Sequence, residues 1–483
     1  MLSTLLVSFY LMCSVALVVY GLHHYFMIFL FWKSKDHIRQ GSRAAEEKFA
    51  ISDSRCPAVL TQIPLYNEST VAERIIRAVA AIDYPKHAIQ VLDDSNDETC
   101  EIVDSVVAEL QSQGLDITVV RREDRSGYKA GALAYGMQLS EARYIAIFDA
   151  DFVPPVDFLR RTIPHFFARE KCGVVQARWS HLNANDSALT KAQSVGVDGH
   201  FVVEQTARSY NDYFLNFNGT AGVWDREAID DAGGWNADTL TEDLDLSYRA
   251  QLKGWKFHYL PDLCVPAELP PQFRGFRSQQ FRWAKGSIQT SLKMLPKVWS
   301  APIELRKKVE STFHLTHYSL HFFMCLQALL ALPMAIFNPM PFEISYLVWF
   351  FIPMGFAMLG PSLLYLVAEL WISPDRWKHY FSRLPMLILI GFGVCVSNSK
   401  ACIEGLIGVE SPFVRTPKQG DKKQKMRYTE KQDLMPMIEL FVAALTLTAA
   451  IQYFHVGVYG AVPFFLIYPI GIGMMGVKSL TER

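Results

Sequence analysis

Tyr144-Ile145-Ala146-Ile147-Phe148-Asp149-Ala150-Asp151 decides how the polar part of the chain folds. Tyr144–Phe148 is an apolar run of strand length, and it stops at two carboxylates spaced i and i+2. Working outward, earlier runs share this form. Ala58–Ile63 leads into Pro64-Leu65-Tyr66-Asn67-Glu68, Ile89–Leu92 ends at Asp93-Asp94-Ser95, and Ile117–Arg121 is a third strand. Helical stretches separate them: Ser69–Ile82 with Ser69 or Thr70 as its cap, Thr99–Gln113, and Lys129–Gln138 after Arg125-Ser126-Gly127-Tyr128. Strands alternating with helices predict an α/β, Rossmann-like domain on a parallel sheet. Ligands of such sheets bind beyond the carboxyl ends of the strands. The acidic clusters at 93–94 and 149–151 stand where a nucleotide is expected.

Asp149 and Asp151 can face one hard cation, Mg²⁺ or Mn²⁺, which prefers oxygen ligands. Such an ion neutralises charge on a leaving nucleoside diphosphate. Alone, an Asp-x-Asp pair is more often a solvated turn, and Asp93-Asp94 is as readily a turn as a site. Two later stretches shift that balance. Thr241-Glu242-Asp243 opens a helix over Asp243–Leu252; by itself the triplet reads as an N-cap with an acidic first turn. Gln279-Gln280-Phe281-Arg282-Trp283 offers an amide, a guanidinium and an indole within five positions. An indole is a flat apolar platform with one N–H donor, which suits a sugar ring, and Arg suits a phosphate. Inverting glycosyl transfer needs a carboxylate base for an acceptor hydroxyl and cations on the leaving group. Asp243, with Glu242 beside it, fits the base. Lys129 and Arg282 fit the diphosphate. Gln279 and Trp283 fit the acceptor, and the turn at Phe217-Asn218-Gly219-Thr220 can bring backbone close to a ligand.

The 483 residues are 50% hydrophobic and 20% charged, which is enough chain for more than one domain. A net charge of −1 gives no field that attracts nucleic acid. The 8 cysteines have no zinc spacing and suggest no disulfide framework. Leu5–Trp32 is long enough to cross a bilayer and reads as an anchor. Lys33, Lys35, Arg39 and Arg43 follow it, so positive-inside reasoning puts the polar domain in the cytoplasm and the N-terminus outside. Further apolar spans are Phe313–Ile336, Tyr346–Trp371, Leu384–Val396, Met437–Tyr453 and Val456–Gly476. Leu384–Val396 is short, and if it crossed, the basic residues between Lys418 and Arg427 would lie outside. Residues 384–408 are therefore expected to be interfacial or re-entrant. That gives five crossings, with six as the alternative. Phe273–Lys293 is amphipathic and suits a helix on the membrane surface.

The order Asp94, Asp149-Ala150-Asp151, Thr241-Glu242-Asp243 and Gln279-Gln280-Phe281-Arg282-Trp283 resembles the family 2 membrane-embedded β-glycosyltransferases, which include cellulose, hyaluronan, chitin and mannan synthases. Ser126-Gly-Tyr-Lys-Ala-Gly-Ala-Leu133, Val175-Gln-Ala-Arg-Trp179, Phe217-Asn-Gly-Thr-Ala-Gly-Val-Trp224 and Gly254-Trp-Lys-Phe257 look like the plant cellulose-synthase-like A and C groups. The resemblance implies a GT-A fold, a nucleotide-sugar donor, Mg²⁺ or Mn²⁺, and a translocation channel. It places Glu68, Asp93 and Asp94 near the nucleotide, Asp149 and Asp151 at the metal, Asp243 as base, and Trp283 over the acceptor with Asn218 and Gly219 nearby. Phe413-Val-Arg-Thr-Pro-Lys418 resembles the family's gating loop, with Phe413, Thr416 and Lys418 in place and Arg415 where the pattern has Val.

The expected layout is a transmembrane helix at 1–32, a cytoplasmic glycosyltransferase domain at 33–268, and interfacial helices with the Gln-x-x-Arg-Trp motif at 269–310. Two transmembrane helices at 311–372, an interfacial helix and basic loop at 373–436, and two transmembrane helices at 437–483 complete it. The expected protein is an integral enzyme of the plasma or inner membrane that polymerises a β-linked, β-1,4 glucan or mannan from UDP-glucose or GDP-mannose and exports it. The competing reading is a non-processive enzyme acting on diacylglycerol, ceramide or a polyprenyl phosphate. A non-catalytic transporter is disfavoured by four co-occurring motifs. The motifs name neither sugar nor linkage, and leave open a homo-oligomer or an accessory subunit.

Overall fold

β1 (Val59–Leu65), β2 (His87–Asp93), β3 (Ile117–Val120) and β4 (Tyr144–Ile147) run parallel, as their alternation with helices predicts. The computed structural model describes residues 2–48, 56–337, 352–375, 377–410, 418–420, 434–460 and 462–482. Along β1 and β4 successive residues enter opposite cores. Val59 and Ile63, with Tyr144 and Ala146, pack on one face beside the helices Ala72–Ala80 and Thr99–Ser112. Leu60, Ile145 and Ile147 pack on the other beside Leu133, Trp224 and Leu246. A strand buried on both faces reads as a continuous apolar run, which is why the central strand β4 was legible, whereas β3 stands at the sheet edge and is only partly buried.

Three further strands, β5 (Cys172–His181), β6 (Gly222–Asp225) and β7 (Lys256–Ala267), complete a sheet ordered β3-β2-β1-β4-β6-β5-β7. β6 is antiparallel to both β4 and β5, so the sheet is mixed rather than wholly parallel. The cause is where the chain enters. The Asn218–Ala221 turn already lies at the carboxyl end of β4, with Ala221 N–H donating to Ile147 O at 2.8 Å, so β6 runs back down without a crossover. The helix expected from Ser69 begins at Ala72, and neither Ser69 nor Thr70 caps it. The Glu68 carbonyl accepts from Val71 and Ala72 N–H instead.

Five helices among the described residues are long and apolar enough to cross a membrane: Thr4–Ile38, Ser319–Phe337, Gly355–Ile372, Met435–His455 and Val462–Thr481. A sixth span exists if Trp377–Gly393 and Cys395–Ile407, bent by 41° at their junction, count as one. The short apolar run at 384–396 straddles that bend, which is why its length alone was ambiguous. The first helix continues without a break to Lys48, past the boundary expected at residue 33.

The amphipathic helix runs from Phe273 to Ser300, longer than expected, and part of its charge points inward. Arg277 Nη1 meets Glu439 Oε2 at 3.2 Å, and the fully buried Lys285 meets Glu404 Oε2 at 2.9 Å. Glu482 accepts from the N–H groups of Phe273 and Arg274 at 3.0 and 3.2 Å, which satisfies two orphan donors at the helix start. Removing one partner of a buried pair leaves an uncompensated charge, at roughly 3–5 kcal/mol. Arg277→Met is therefore expected to lower the unfolding temperature in detergent sharply. Arg277→Met with Glu439→Met should recover most of that loss.

Candidate active site

At the end of β4 the chain leaves the sheet at Asp149, whose N–H donates to Thr220 Oγ1 at 2.8 Å. Lys129, in the first turn of the helix Tyr128–Gln138, reaches Asp149 Oδ1 at 2.5 Å and the Gly219 carbonyl at 2.8 Å. Gly219 is left-handed, with φ +80°, and a Cβ there would lie 2.9 Å from Asp243 Oδ2 and 3.5 Å from Lys129 Nζ. Only glycine allows this approach. The metal candidate Asp149, the cation Lys129 and the base Asp243 thus share one small volume with the Asn218–Gly219 turn.

Asp243 lies in the first turn of the helix Glu242–Leu252. Burial is the main force on its carboxyl, and the like charge of Glu242 adds to it, so its pKa is pushed up to about 7. Lys129 opposes this, and Leu244 N–H, donating to Asp243 Oδ1 at 2.8 Å, does the same. Burial disfavours the charge of Lys129 itself, but Asp149 and Glu242 outweigh it and its pKa is raised. A protonatable carboxyl near neutrality beside a permanent cation is what a general base in this cleft requires.

The Gln-x-x-Arg-Trp helix presses on this centre through Gly286, where a Cβ would fall 2.6 Å from Thr241 Cγ2. Thr290 and Thr241 hydroxyls lie 3.1 Å apart, and Gln289 Oε1 accepts from Leu240 N–H at 3.0 Å. Gln279, Arg282, Trp283 and Gly286 are spaced i, i+3, i+4 and i+7, so they share one helix face. That face is the one packed on the Thr241-Glu242-Asp243 corner.

Asp93 and Asp94 part company. Asp93 is buried and accepts from Arg121 Nε at 2.9 Å, while Arg121 also bonds Cys100 O and Asp104 on the helix Thr99–Ser112. It is a strut of the domain. Asp94 accepts from Arg122 through both oxygens, and Arg122 also holds Ser126 O and Tyr128 O. Arg125 lies 3.3 Å over the Tyr66 ring next to this pair. Glu68 is buried just beyond β1. Arg122, Arg125 and Tyr66 complete the corner where Asp94 stands, and their spacing carried no signal for it.

Asp151 is largely buried and meets Lys418 Nζ at 2.6 Å. Phe413 and Thr416 lie outside the described residues. Among the described residues no three His, Cys, Asp or Glu side chains converge as a complete cation cage. The candidate donors are Asp149 and Asp151, and each already faces an ammonium group. That suits an ion held by two carboxylates and a substrate's phosphates, the usual way Mg²⁺ binds.

Two features had no local signature. Gln176 on β5 accepts from Asn218 N–H at 3.1 Å and donates to Thr220 O and Ala221 O, clamping the turn from beneath. Asn218 also bonds Gln205 and His200 on the π-helical turn Gly199–Gln205, a form frequent at functional sites. From there polar contacts run through Glu204, Arg208 and Glu310 to His23 on the first apolar helix. His23 is therefore a hydrogen-bond partner of Glu310, at 2.7 Å.

Sheet, acidic strand ends and an activated carboxyl define a GT-A glycosyltransferase. Residues 57–286 match the family described as "Glycosyltransferase like family 2". The Arabidopsis thaliana protein named glucomannan 4-beta-mannosyltransferase 7 is 35% identical over 467 residues, covering 90% of this chain and 79% of that one. Probable glucomannan 4-beta-mannosyltransferase 10 of the same plant is 37% identical over 363 residues, covering 72% of this chain and 65% of that one. Glucomannan 4-beta-mannosyltransferase 1 of Oryza sativa subsp. japonica is 43% identical over 280 residues, covering 57% and 53%. Among solved structures, mannosyltransferase PcManGT from Pyrobaculum calidifontis, in complex with GDP-Man and Mn²⁺, aligns with 82% of this chain and 99% of that one at TM-score 0.49 and 18% identity. The chain belongs to glycosyltransferase family 2.

As the candidate base, Asp243 could take a proton only when ionised, so kcat/KM is expected to rise with pH and level off above about 7. Glu242→Gln removes a like charge and should move that limb to lower pH in a pH–rate profile. Gly286→Ala pushes the helix that carries Arg282 and Trp283 off Thr241, beside Asp243. Turnover should fall by roughly a hundredfold, with the unfolding temperature little changed.

Proposed function

We propose that this glycosyltransferase is a processive, inverting enzyme that extends a β-1,4-linked mannan or glucomannan from GDP-mannose and passes the chain across the membrane. Asp243 carries the reading: a carboxyl held near neutrality, touching Gly219 and facing the Lys129–Asp149 pair. The terminal acceptor hydroxyl gives its proton to Asp243 as its oxygen attacks the sugar's anomeric carbon. The bond from that carbon to the diphosphate breaks, and the nucleoside diphosphate leaves with the bonding pair. Attack opposite the leaving group turns an α-linked donor into a β-linked product. Lys129 and Arg282 receive charge on the departing diphosphate. Trp283 and Gln279 hold the acceptor ring against the Asn218–Gly219 turn, and Glu68 and Asp94 meet the nucleoside. Asp149 and Asp151 would hold Mg²⁺ or Mn²⁺, which supplies further neutralisation of the diphosphate.

The relatives named as glucomannan mannosyltransferases support the mannan reading and do not favour a glycolipid acceptor. The helices that can cross a membrane, and the polar path from Asn218 to His23, support an exit between helices. Lys33 and Lys35, in the last turns of the first apolar helix, support a cytoplasmic catalytic domain.

Purified protein in nanodiscs with Mn²⁺, offered radiolabelled GDP-mannose and UDP-glucose separately, tests this. Polymer retained at the chromatographic origin and cleaved by β-1,4-mannanase is expected from GDP-mannose. A mobile, organic-soluble product would establish the glycolipid reading in its place. Asp243→Asn should reduce turnover by roughly 10²–10⁴. The folded protein binds this proton more tightly than the unfolded chain. Asp243 therefore subtracts stability as pH rises from the ordinary carboxylate range towards 7. Above that pH the asparagine variant should be at least as heat-stable as the native protein, which separates lost chemistry from lost folding.

A further inference from the structure

At the edge of the sheet opposite the catalytic cleft, the starts of β4, β5 and β7 and the end of β6 border a cavity of about 460 Å³. The four residues of β4, roughly 13 Å of strand, separate it from Asp149. Three cations line it, Arg143, Arg169 and Lys171, beside three carboxylates and Trp255. The carboxylates are already matched. Asp225 Oδ2 accepts from Arg143 Nη2 at 3.0 Å, and Glu227 lies 4.0 Å from the same guanidinium. Asp231 accepts from Trp255 Nε1 at 2.9 Å and lies 3.7 Å from Lys253 Nζ. Arg143 is thereby neutralised, and two cations remain.

Arg169 and Lys171 form no ion pair among the described residues. Arg169 is partly buried, and its Nη1 donates to His165 Nδ1 at 2.9 Å. His165 therefore carries its own proton on Nε2, a buried atom with no partner. The titratable groups beside the guanidinium are neutral. Burial pulls the His165 pKa down to about 3, and pushes the Cys172 thiol and the Tyr210 hydroxyl up to about 12. Burial lowers the pKa of Arg169 too, yet a guanidinium keeps its charge. A charge drawn out of water without a counter-charge is costly. Lys171 is held in the left-handed region at φ +50°, where the Lys256 N–H bonds its carbonyl at 2.8 Å. Its ammonium stands 5.9 Å over the Trp255 ring. Backbone strain of this kind collects at functional sites.

We propose that Arg169 and Lys171 form a second anion site, separate from the catalytic cleft, whose ligand is a phosphate ester. Two uncompensated cations call for nearly two negative charges on one small group. A phosphate ester carries about −1.5 to −2 at pH 7, and a carboxylate only one. The guanidinium fork matches two phosphate oxygens and leaves a third for the ammonium. His165 is a positioning residue that fixes the fork. The cavity exceeds what bare phosphate fills, and Trp255 gives an organic moiety an apolar wall. The short helix Pro164–Ala168, which ends just before Arg169, packs on the first apolar helix and exposes Phe167. A lipid headgroup at the membrane surface and a soluble ester share the required chemistry.

Equilibrium dialysis of radiolabelled glycerol 3-phosphate against the full chain tests this, with GDP and Mg²⁺ filling the catalytic cleft. The native protein in phosphatidylcholine nanodiscs is expected to bind the ester at one site. Arg169→Gln and Lys171→Gln should each weaken that binding roughly ten- to a hundredfold, the loss of one charge-assisted contact. Lys171 is exposed, so Lys171→Gln should keep the native unfolding temperature and decides the matter if Arg169→Gln fails to fold. Nanodiscs containing phosphatidic acid separate the two sources. Binding lost there identifies the headgroup as the occupant, and binding retained identifies a soluble ester. No binding to the native protein in phosphatidylcholine, or binding that Lys171→Gln leaves unchanged, would overturn the proposal.

Discussion

Lys129 is the charge on which the cleft depends. Three carboxyl groups, those of Asp149, Glu242 and Asp243, crowd the carboxyl end of β4, brought there by two elements. Asp149 ends a strand, whereas Glu242 and Asp243 open a helix delivered from the far side of the sheet. Carboxylates brought together away from water repel and shed their charge. Lys129 pairs with Asp149, fixes the Gly219 carbonyl, and limits how far burial can raise Asp243. Without that ammonium the turn at Asn218–Gly219 would lose its upper contact. With it, the Asp243 carboxyl keeps a pKa near neutrality.

A second constraint links this centre to the apolar helices. The helix Phe273–Ser300 touches Thr241 on one side and the membrane-type helices on the other. Buried ion pairs such as Arg277–Glu439 add little net stability compared with apolar packing, but they penalise every register that leaves a charge unpaired. Here they fix the register of the helix that carries Gln279, Arg282 and Trp283 and packs through Gly286 on Thr241. The chain of contacts from Asn218 through His200, Glu204, Arg208 and Glu310 to His23 makes a second link. The cleft is thus tied to the apolar helices from two directions.

Much of the catalytic domain was legible in the residues because parallel strands buried on both faces write themselves as short apolar runs. Asp149, Asp151 and Asp243 were legible for a related reason: they stand at element ends, where side chains are free to face a ligand. β6 was not legible as antiparallel, since its direction follows from where the Asn218–Ala221 turn enters the sheet. Asp93 and Asp94 look alike in sequence, yet Arg121 takes one as a strut and Arg122 takes the other at the cleft. Ser69 and Thr70 looked like caps, but the Glu68 carbonyl does that work and Thr70 Oγ1 donates to the Lys418 carbonyl.

By itself the sequence determined the alternation of strands and helices, the apolar spans, and the residue types that glycosyl transfer needs, because these depend on local periodicity and on side-chain chemistry. Only the tertiary structure decided which of those residues meet. Gln176 beneath Asn218 and Lys418 on Asp151 join positions far apart in the chain, and their bonds form only once the domain has closed. Likewise, the pKa of Asp243 is a property of its burial and of the charges around it, neither of which exists in the unfolded chain.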